Sequence, residues 1–577
     1  MSKNTRSQSE SSKGAEAQSM TGSEILIQAL LDMGVDTIFG YPGGKVIGIY
    51  DVLYRTPKMK HILVRHEQGA THAADGYARV TGKPGIVMVT SGPGATNTVT
   101  GIATAYMDSV PMIVFSGQVA SNMIGNDAFQ EADIIGITRP ITKHSYLIRD
   151  TNHIATVVSE AYHIAATGRP GPVVVDLPSD VLAGTAVYKK SVGVDIRGYN
   201  PTYKGHSKQI VKAAKIISEA KKPLLYVGGG VIAGNASESL RQLAMKGNIP
   251  VTTTLLGLGA FPEDHPLSLG MLGMHGTWYG NMAIQECDVL VAVGARFDDR
   301  ITGKLSTFSK NSLKIHIDID PACISKNVAV NVPIVGDARE ILTKLTEKVE
   351  KGNTEEWLNI IAAWKKNHPL KYCPGKEKIL PQCVIEKIAA ATRHEAIVVT
   401  DVGQNQMWSA QYYGFKHPRS LLSSGGLGTM GYGLPAAIGA KIASPQREVF
   451  CITGDGGFQM NIQELTTAVK YKVPVRVAIL NNGYLGMVRQ WQELFFGQRY
   501  SQTVLDDGNP DFMKLAEGYG AVGMRIENND EIDTALVAAM KEKNRPVIME
   551  FIINREENVF PMVPPAASIE DMLELTD

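Results

Sequence analysis

The chain predicts an α/β protein made of three doubly wound parallel-sheet domains, and three observations carry that prediction. Short strand-like apolar runs alternate with helical patterns along its length, the rhythm of parallel strands with covering helices. Glycine-rich turns recur at the ends of those runs, where open α/β sheets gather their ligands. At 577 residues the chain exceeds what one core supports, and its length favours three or four domains.

The elements follow in order. Residues 1–20, rich in Ser, Lys and Glu, read as a disordered tail, and Glu10 and Glu16 argue against a targeting peptide. A first block, 21–190, opens at Thr21-Gly-Ser-Glu24, a good helix start before the apolar run 25–31. Strand-like runs follow at 37–39, 62–64, 86–90, 112–116 and 173–176. The polar stretch 189–207 reads as a linker. A second block, 206–345, has such runs at 223–227, 251–254, 289–294 and 314–320. The charged segment 340–378 holds a helix and a lysine-rich run and reads as a second linker. A third block, 378–555, has runs at 396–400, 448–453 and 473–480. The tail 556–577 contains Phe560-Pro-Met-Val-Pro-Pro565, which cannot be regular structure and is expected to lie across another surface. The first and third blocks share size and rhythm, which hints at duplicated architecture.

Bulk properties exclude several classes. Lys+Arg and Asp+Glu both number 57, so no net charge favours nucleic acid or an anionic membrane. No apolar run reaches the roughly 18 residues of a membrane helix. The five cysteines (Cys287, Cys323, Cys373, Cys383, Cys451) form no Cys-x-x-Cys pair, which points to a reducing, cytoplasmic setting without structural zinc.

The most informative pairing is Asp455, in Gly454-Asp455-Gly456-Gly457, with Asn482, in Asn481-Asn482-Gly483. Each ends an apolar run. A carboxylate and an amide oxygen at two strand ends suit magnesium, with phosphate oxygens completing the octahedron and glycines admitting them. Glu67, in Arg65-His66-Glu67-Gln68-Gly69, opens a helix that holds Ala73, Ala74 and Ala78. Taken alone it is a dipole-stabilised helix start. Ser91-Gly92-Pro93-Gly94, Asp401-Val-Gly403-Gln404 and Gly425-Gly426-Leu-Gly428-Thr-Met430-Gly431 are further strand-end turns able to cradle an anion.

The set Glu67, Gly403-Gln404, Gly428-Thr-Met430, Gly454-Asp455-Gly456 and Asn481-Asn482 resembles the thiamine diphosphate-dependent decarboxylases and carboligases, over nearly the whole chain. The resemblance implies pyrimidine-binding, FAD-binding and diphosphate-binding domains in that order. It implies magnesium held by Asp455, Asn482 and the Tyr484 carbonyl, and cofactor contacts from Gly403, Gln404, Gly428, Met430, Gly454, Gly456 and Gly457. Glu67 would hydrogen-bond the aminopyrimidine from an apolar pocket that favours its protonated form. The cofactor would lie between two subunits, so a homodimer or homotetramer is expected.

Further segments resemble the acetohydroxyacid synthase (acetolactate synthase) family: Gly40-Tyr-Pro-Gly-Gly44, Asn126-Asp-Ala-Phe129-Gln130-Glu131, Arg296-Phe-Asp298-Asp-Arg300 and Gly486-Met-Val-Arg-Gln-Trp491. That family decarboxylates pyruvate and joins the two-carbon unit to pyruvate or 2-ketobutyrate, in branched-chain amino acid biosynthesis. By resemblance, Arg300 grips the acceptor carboxylate and Trp491 contacts its alkyl group. Phe129 and Gln130 line the substrate channel, and Gly44 offers its backbone near the reacting carbon. FAD, without a redox role in the net reaction, would lie on Arg169, Gly228, Gly229, Gly230, Thr254, Leu255, His275, Gly294, Arg296, Asp298, Arg300 and Asp318. A small regulatory subunit is typical of the family. The chain departs from the pattern at Lys45, Ser179 and Ala120-Ser121-Asn122; two readings compete, drift at a channel rim, or Lys45 restoring the positive charge missing at Ser179 and steering keto-acid anions inward.

Overall fold

The computed structural model describes residues 19–191, 193–373 and 378–575. The sequence motifs at 1–18 therefore lie outside the described residues, but Ser19 and Met20, expected in the tail, pair within a small antiparallel ribbon, Ser19–Thr21 on Thr185–Val187. Thr21 then caps the helix Gly22–Asp32 in a reciprocal box with Glu24, as the Thr-x-x-Glu spacing predicts.

Three six-stranded sheets form the body, and every pairing within them is parallel. The N-terminal sheet runs Lys60–Leu63, Thr37–Gly40, Gly85–Val89, Met112–Gln118, Pro172–Pro178, His144–Leu147 from edge to edge. The C-terminal sheet runs Leu421–Leu422, Ile397–Thr400, Val449–Gly454, Arg476–Asn481, Val547–Ile552, Val522–Ile526. Counted within each block, both have the order 2-1-3-4-6-5, so the duplicated architecture is real at the level of topology. The middle sheet differs: Ser268–Met271, Val251–Thr253, Pro223–Val227, Val289–Val293, Leu313–Asp318, Val332–Val335 is the order 3-2-1-4-5-6 of dinucleotide-binding folds. Central strands are buried throughout, which explains their unbroken apolar runs.

The charged segment after 340 is more than a linker. Ala338–Lys348 buries Ile341, Leu342 and Leu345 in the middle core, and Glu355–Asn367 buries Trp357, whose indole NH donates to the Pro223 carbonyl at 3.2 Å. The segment thus holds two amphipathic helices where one was expected, their outer faces carrying the charges. The lysine-rich part of that segment falls partly on 374–377, outside the described residues.

The N- and C-terminal blocks pack most closely through the helix pair Glu67–Thr81 on Gly433–Ala443. The approach is backbone to backbone: a Cβ at Gly439 would stand 1.8 Å from the Ala73 carbonyl oxygen, and one at Gly76 would stand 2.1 Å from that of Ala436. Beside it lies a buried ionic cluster. Arg79 pairs with Asp75 at 2.6 Å and with Asp108 at 2.8 Å, and the Tyr432 hydroxyl donates to Asp75 at 2.6 Å. Asp108 also accepts from the amides of Gly425 (3.0 Å) and Gly426 (2.7 Å), fixing the turn that leads to Met430.

Candidate functional site

A cavity of about 840 Å3 is lined from the carboxyl ends of strands in both the middle and C-terminal sheets, with Tyr106, Met107 and Arg169 reaching in from the N-terminal block. Its lining gathers most of the residues expected to hold thiamine diphosphate (Gly403, Gln404, Gly428, Met430, Gly454, Gly456, Gly457, Asn482, Tyr484) and most of those expected to hold FAD.

At the C-terminal end, Asp455 is the first residue of the helix Asp455–Gln459 that follows the strand Val449–Gly454. It is fully buried. Asn509 donates to its Oδ2 at 2.7 Å, while Oδ1 has no hydrogen-bond partner. Burial pushes its pKa up to about 6. The Asn482 amide donates to Gln404 Oε1 at 3.2 Å, and its Oδ1 accepts from the Tyr484 NH at 3.1 Å. Among the described residues no group of three or more His, Cys, Asp or Glu side chains could hold a metal ion. A set of one carboxylate, one amide oxygen and one carbonyl suits magnesium only when phosphate oxygens share the coordination. An orphaned buried carboxylate oxygen beside such a set fits that group.

Asp401 organises the neighbouring turn. Buried at the end of Ile397–Thr400, it accepts from the amides of Gly431 (3.1 Å) and Gly433 (2.9 Å), and burial raises its pKa. Sequence reading saw Asp401 only as part of a turn. Asn405 was missed altogether; its Oδ1 is buried without a partner, and its Nδ2 lies 3.5 Å from where a Cβ would stand at either Gly403 or Gly454. Its place directly after Gly403-Gln404 is the signal that could have found it.

At the middle-sheet end, Gly228, Gly229, Thr254, Leu255, His275, Gly294, Arg296, Asp298 and Arg300 line the same cavity. Gly230 and Asp318 instead line an adjoining cavity of about 230 Å3, which shares Arg169, Gly229, Gly294 and Arg296 with it. Not every glycine there is free to cradle a ligand: Gly228 and Gly230 pack against Gly294, whose carbonyl accepts from the Gly230 NH at 3.1 Å. Burial holds His275 down at about pKa 4, its Nδ1 unpartnered, and lifts Asp318 to about 6. Arg169 crosses from the N-terminal block to Asp320 at 3.2 Å. A long pair of cavities beside a sheet of order 3-2-1-4-5-6 suits a dinucleotide such as FAD.

Arg300 and Trp491 both line the main cavity. The Arg300 side chain is 60% exposed and its nearest carboxylate, on Asp299, is 3.9 Å away, so the guanidinium is open to a ligand. Trp491 sits on the helix Gly486–Phe495, its ring edge-on to Phe495.

A second group of expected residues lies apart from this cavity, along the carboxyl edge of the N-terminal sheet. Glu67 is half-buried and accepts from Asn97 Nδ2 at 3.0 Å. The apolar enclosure expected around it is not supplied by its own chain. Glu464, a fully buried residue of the C-terminal block, holds the turn before it by accepting from the amides of Arg65 (2.9 Å) and His66 (3.0 Å). Gly44 is exposed, and the Lys45 NH donates to Thr90 Oγ1 at 3.3 Å. Gln130, at φ +60°, backs onto Gly92, and Phe129 is 84% exposed. Ser121, one departure from the family pattern, donates from its NH and hydroxyl to Asp180, the residue after another departure, Ser179, at 2.9 and 3.1 Å.

Three thiamine pyrophosphate enzyme domains match the chain: the N-terminal TPP binding domain over 20–137, the central domain over 210–345 and the C-terminal TPP binding domain over 401–551. Acetolactate synthase large subunit of Buchnera aphidicola subsp. Schizaphis graminum is 50% identical over 561 residues, covering 96% of this chain and 98% of the relative. Acetolactate synthase isozyme 3 large subunit of Escherichia coli K12 is 49% identical over 564 residues, again 96% and 98%. Acetolactate synthase large subunit IlvB1 of Mycobacterium tuberculosis is 50% identical over 565 residues, 96% and 91%. The chain belongs to the acetolactate synthase family of thiamine pyrophosphate enzymes. The family's cofactors are thiamine diphosphate, magnesium and FAD. The 96% coverage carries the family resemblance across all three sheets and across the segments that depart from the pattern.

Proposed function

We propose that this chain decarboxylates pyruvate and joins the two-carbon unit to pyruvate or 2-ketobutyrate, giving 2-acetolactate or 2-aceto-2-hydroxybutyrate. The observation that carries the reading is the single cavity. One end is lined by Gly454, Gly456 and Asn482, which flank the buried Asp455 with its unpartnered carboxylate oxygen; on its walls stand Arg300 and Trp491, a carboxylate grip and an apolar wall for a small keto acid.

Asp455, Asn482 and the Tyr484 carbonyl would hold magnesium, and Gly403, Gln404, Gly428, Met430, Gly454, Gly456 and Gly457 the thiamine diphosphate. When bound, that cofactor supplies an electron sink for the pair released as a 2-keto acid loses carbon dioxide. Glu67 would hydrogen-bond the aminopyrimidine ring. Arg300 binds the acceptor carboxylate through its fork, and Trp491 meets the acceptor's alkyl group. Gly44, Gln130 and Phe129 close the substrate channel and exclude water, with Lys45 at its rim. Arg169, Gly228, Gly229, Gly230, Thr254, Leu255, His275, Gly294, Arg296, Asp298, Arg300 and Asp318 would carry FAD.

The separation of Glu67 from the cavity supports a dimer as the working unit, in which Glu67 of one copy completes the cavity of another. The named relatives are large subunits, and by that analogy this chain takes a small regulatory subunit. Working domain bounds are 21–190, 206–345 and 378–555, with the tail 556–577 beside the site. No described helix is long and apolar enough to cross a membrane, and a cytoplasmic location is the natural one for this chemistry. The test is direct. Purified chain with all three cofactors is given pyruvate, with and without 2-ketobutyrate, and the products are identified. Both acetohydroxy acids are expected; oxygen consumption in step with pyruvate, without either product, would overturn the reading in favour of an oxidase.

A further inference from the structure

The C-terminal tail ties the two acceptor-contacting residues together. At one end it is bound by the Trp491 helix. Gln490, fully buried, donates from Nε2 to the Val559 carbonyl at 3.0 Å, and its Oε1 accepts from the Val559 NH at 2.9 Å. That is a two-bond clasp of side-chain amide on backbone. The same Oε1 accepts from Gln404 Nε2 at 2.9 Å, and Gln404 in turn accepts from Asn482. Arg489, also buried, holds the carbonyl of Glu556 at 3.2 Å. At its other end the tail is bound to the Arg300 loop. The Val563 NH donates to the Met274 carbonyl at 2.8 Å, Met274 NH donates to the Arg300 carbonyl at 2.8 Å, and the Lys304 NH donates to the Ala567 carbonyl at 3.0 Å. A Cβ at Gly303, where φ is +51°, would stand 2.7 Å from that Ala567 oxygen. Thus the helix that carries Trp491 and the helix Asp299–Thr302 that carries Arg300, in different blocks, are joined through the tail as by a strap.

We propose that Gln490 is a positioning residue for acceptor choice: by clasping Val559 it sets where the Trp491 ring stands relative to the Arg300 guanidinium, and so how well the wall fits a two-carbon rather than a one-carbon alkyl group. Gln490 itself touches neither substrate nor cofactor; neither it nor the tail lines the cavity. The inference rests on the carboligase reading above. Discrimination of this kind is sensitive to small displacements, since one methylene in a pocket separates substrates by only 10- to 200-fold at best.

The experiment is a competition between pyruvate and 2-ketobutyrate as acceptors, scored as the ratio of the two products. Gln490→Met keeps the side-chain volume and removes the clasp; Gly303→Ala pushes the tail from its other anchor, far from Gln490. Each is expected to lower the preference for 2-ketobutyrate at least threefold, while acetolactate formation from pyruvate alone stays within threefold of the parent and the FAD spectrum is unchanged. A ratio within 1.5-fold of the parent in either folded variant overturns the proposal, as does an equal fall of ratio and pyruvate-only rate. Failure of both variants to fold also counts against it, because a positioning residue leaves the fold intact. Trp491→Ala is the reference arm. If that substitution moves the ratio and the other two do not, the strap is wrong and the carboligase reading stands; if the parent forms neither product, the reading itself has failed.

Discussion

The N-terminal and C-terminal sheets have the same strand order and opposite characters at their carboxyl edges. The C-terminal edge buries its acids: Asp401 and Asp455 are enclosed, ringed by backbone amides and side-chain amides, and raised in pKa by that enclosure. The N-terminal edge presents its groups outward: Glu67 half-buried, Gly44 exposed, Phe129 almost wholly so. Topology is therefore not what distinguishes a cofactor cradle from a surface that closes over one. The distinction lies in a few turn residues. In the proposed site Gly454, Gly456 and Gly457 would let the C-terminal backbone approach a phosphate; the N-terminal edge has a carboxylate at a helix start and a loop that projects.

Substitutions on either edge can break this comparison, and the expected effects fall in order. Glu67→Gln should lower turnover by about 10²–10⁴-fold, the span of a lost proton-transfer group, with the fold intact by circular dichroism; activity within tenfold of the parent would remove Glu67 from the site. At the junction of the two sheets, Arg79→Met leaves Asp75 and Asp108 buried and unpaired, and should cost about 3–5 kcal/mol in urea unfolding. A loss below about 1 kcal/mol would mean that the cluster does not hold the sheets in register. Asp455→Ala should weaken magnesium binding on the order of 100-fold, at or beyond the range seen for residues that merely support a metal ligand, measured by titration calorimetry with cofactor present.

A smaller effect, read by pH, lies in the N-terminal sheet. Burial lifts Asp176, on the N-terminal strand Pro172–Pro178, to about 7, against an ordinary value of 3.8, with the Gln118 hydrogen bond opposing. The folded chain thus binds a proton between about pH 7 and 4 that the unfolded chain does not. Stability from this group grows as pH falls through that window, and above it the ionised carboxylate is a cost. Asp176→Asn should therefore compare more favourably with the parent at pH 8 than at pH 5 in melting temperature. Equal differences at both pH values would place the proton elsewhere. The smallest effect belongs to the rim: Lys45→Ala should raise the pyruvate KM a few-fold at low salt and less at high salt, the signature of screened steering.

Much of this was legible in the sequence, and what was missed has physical causes. Buried parallel strands announce themselves as unbroken apolar runs, so Val449–Gly454 and Arg476–Asn481 were visible with their terminal Asp455 and Asn482. His144–Leu147, a half-exposed edge strand with polar residues, carried no such signal. In the charged segment one helix was expected where two stand, Ala338–Lys348 and Glu355–Asn367, because surface charge dilutes their apolar stripes. Glu464, Asp401 and Gln490 work by gripping backbone elsewhere in the chain, at separations of 399, 32 and 69 residues for the bonds to Arg65, Gly433 and Val559, and no local pattern reports such partners. Even the glycine-rich run 228–230 misleads locally, since two of its members serve packing against Gly294.

The helix pair Glu67–Thr81 and Gly433–Ala443 has a consequence for inheritance. It fixes Glu67 and Asp455 in one rigid chain while, in the proposed dimer, assigning them to different reaction centres. A cell carrying one gene copy with Glu67→Gln and another with Asp455→Ala would then make mixed dimers in which one centre collects both lesions and the other collects none. Two dead alleles would restore growth together, whereas two alleles damaged at the same residue would not.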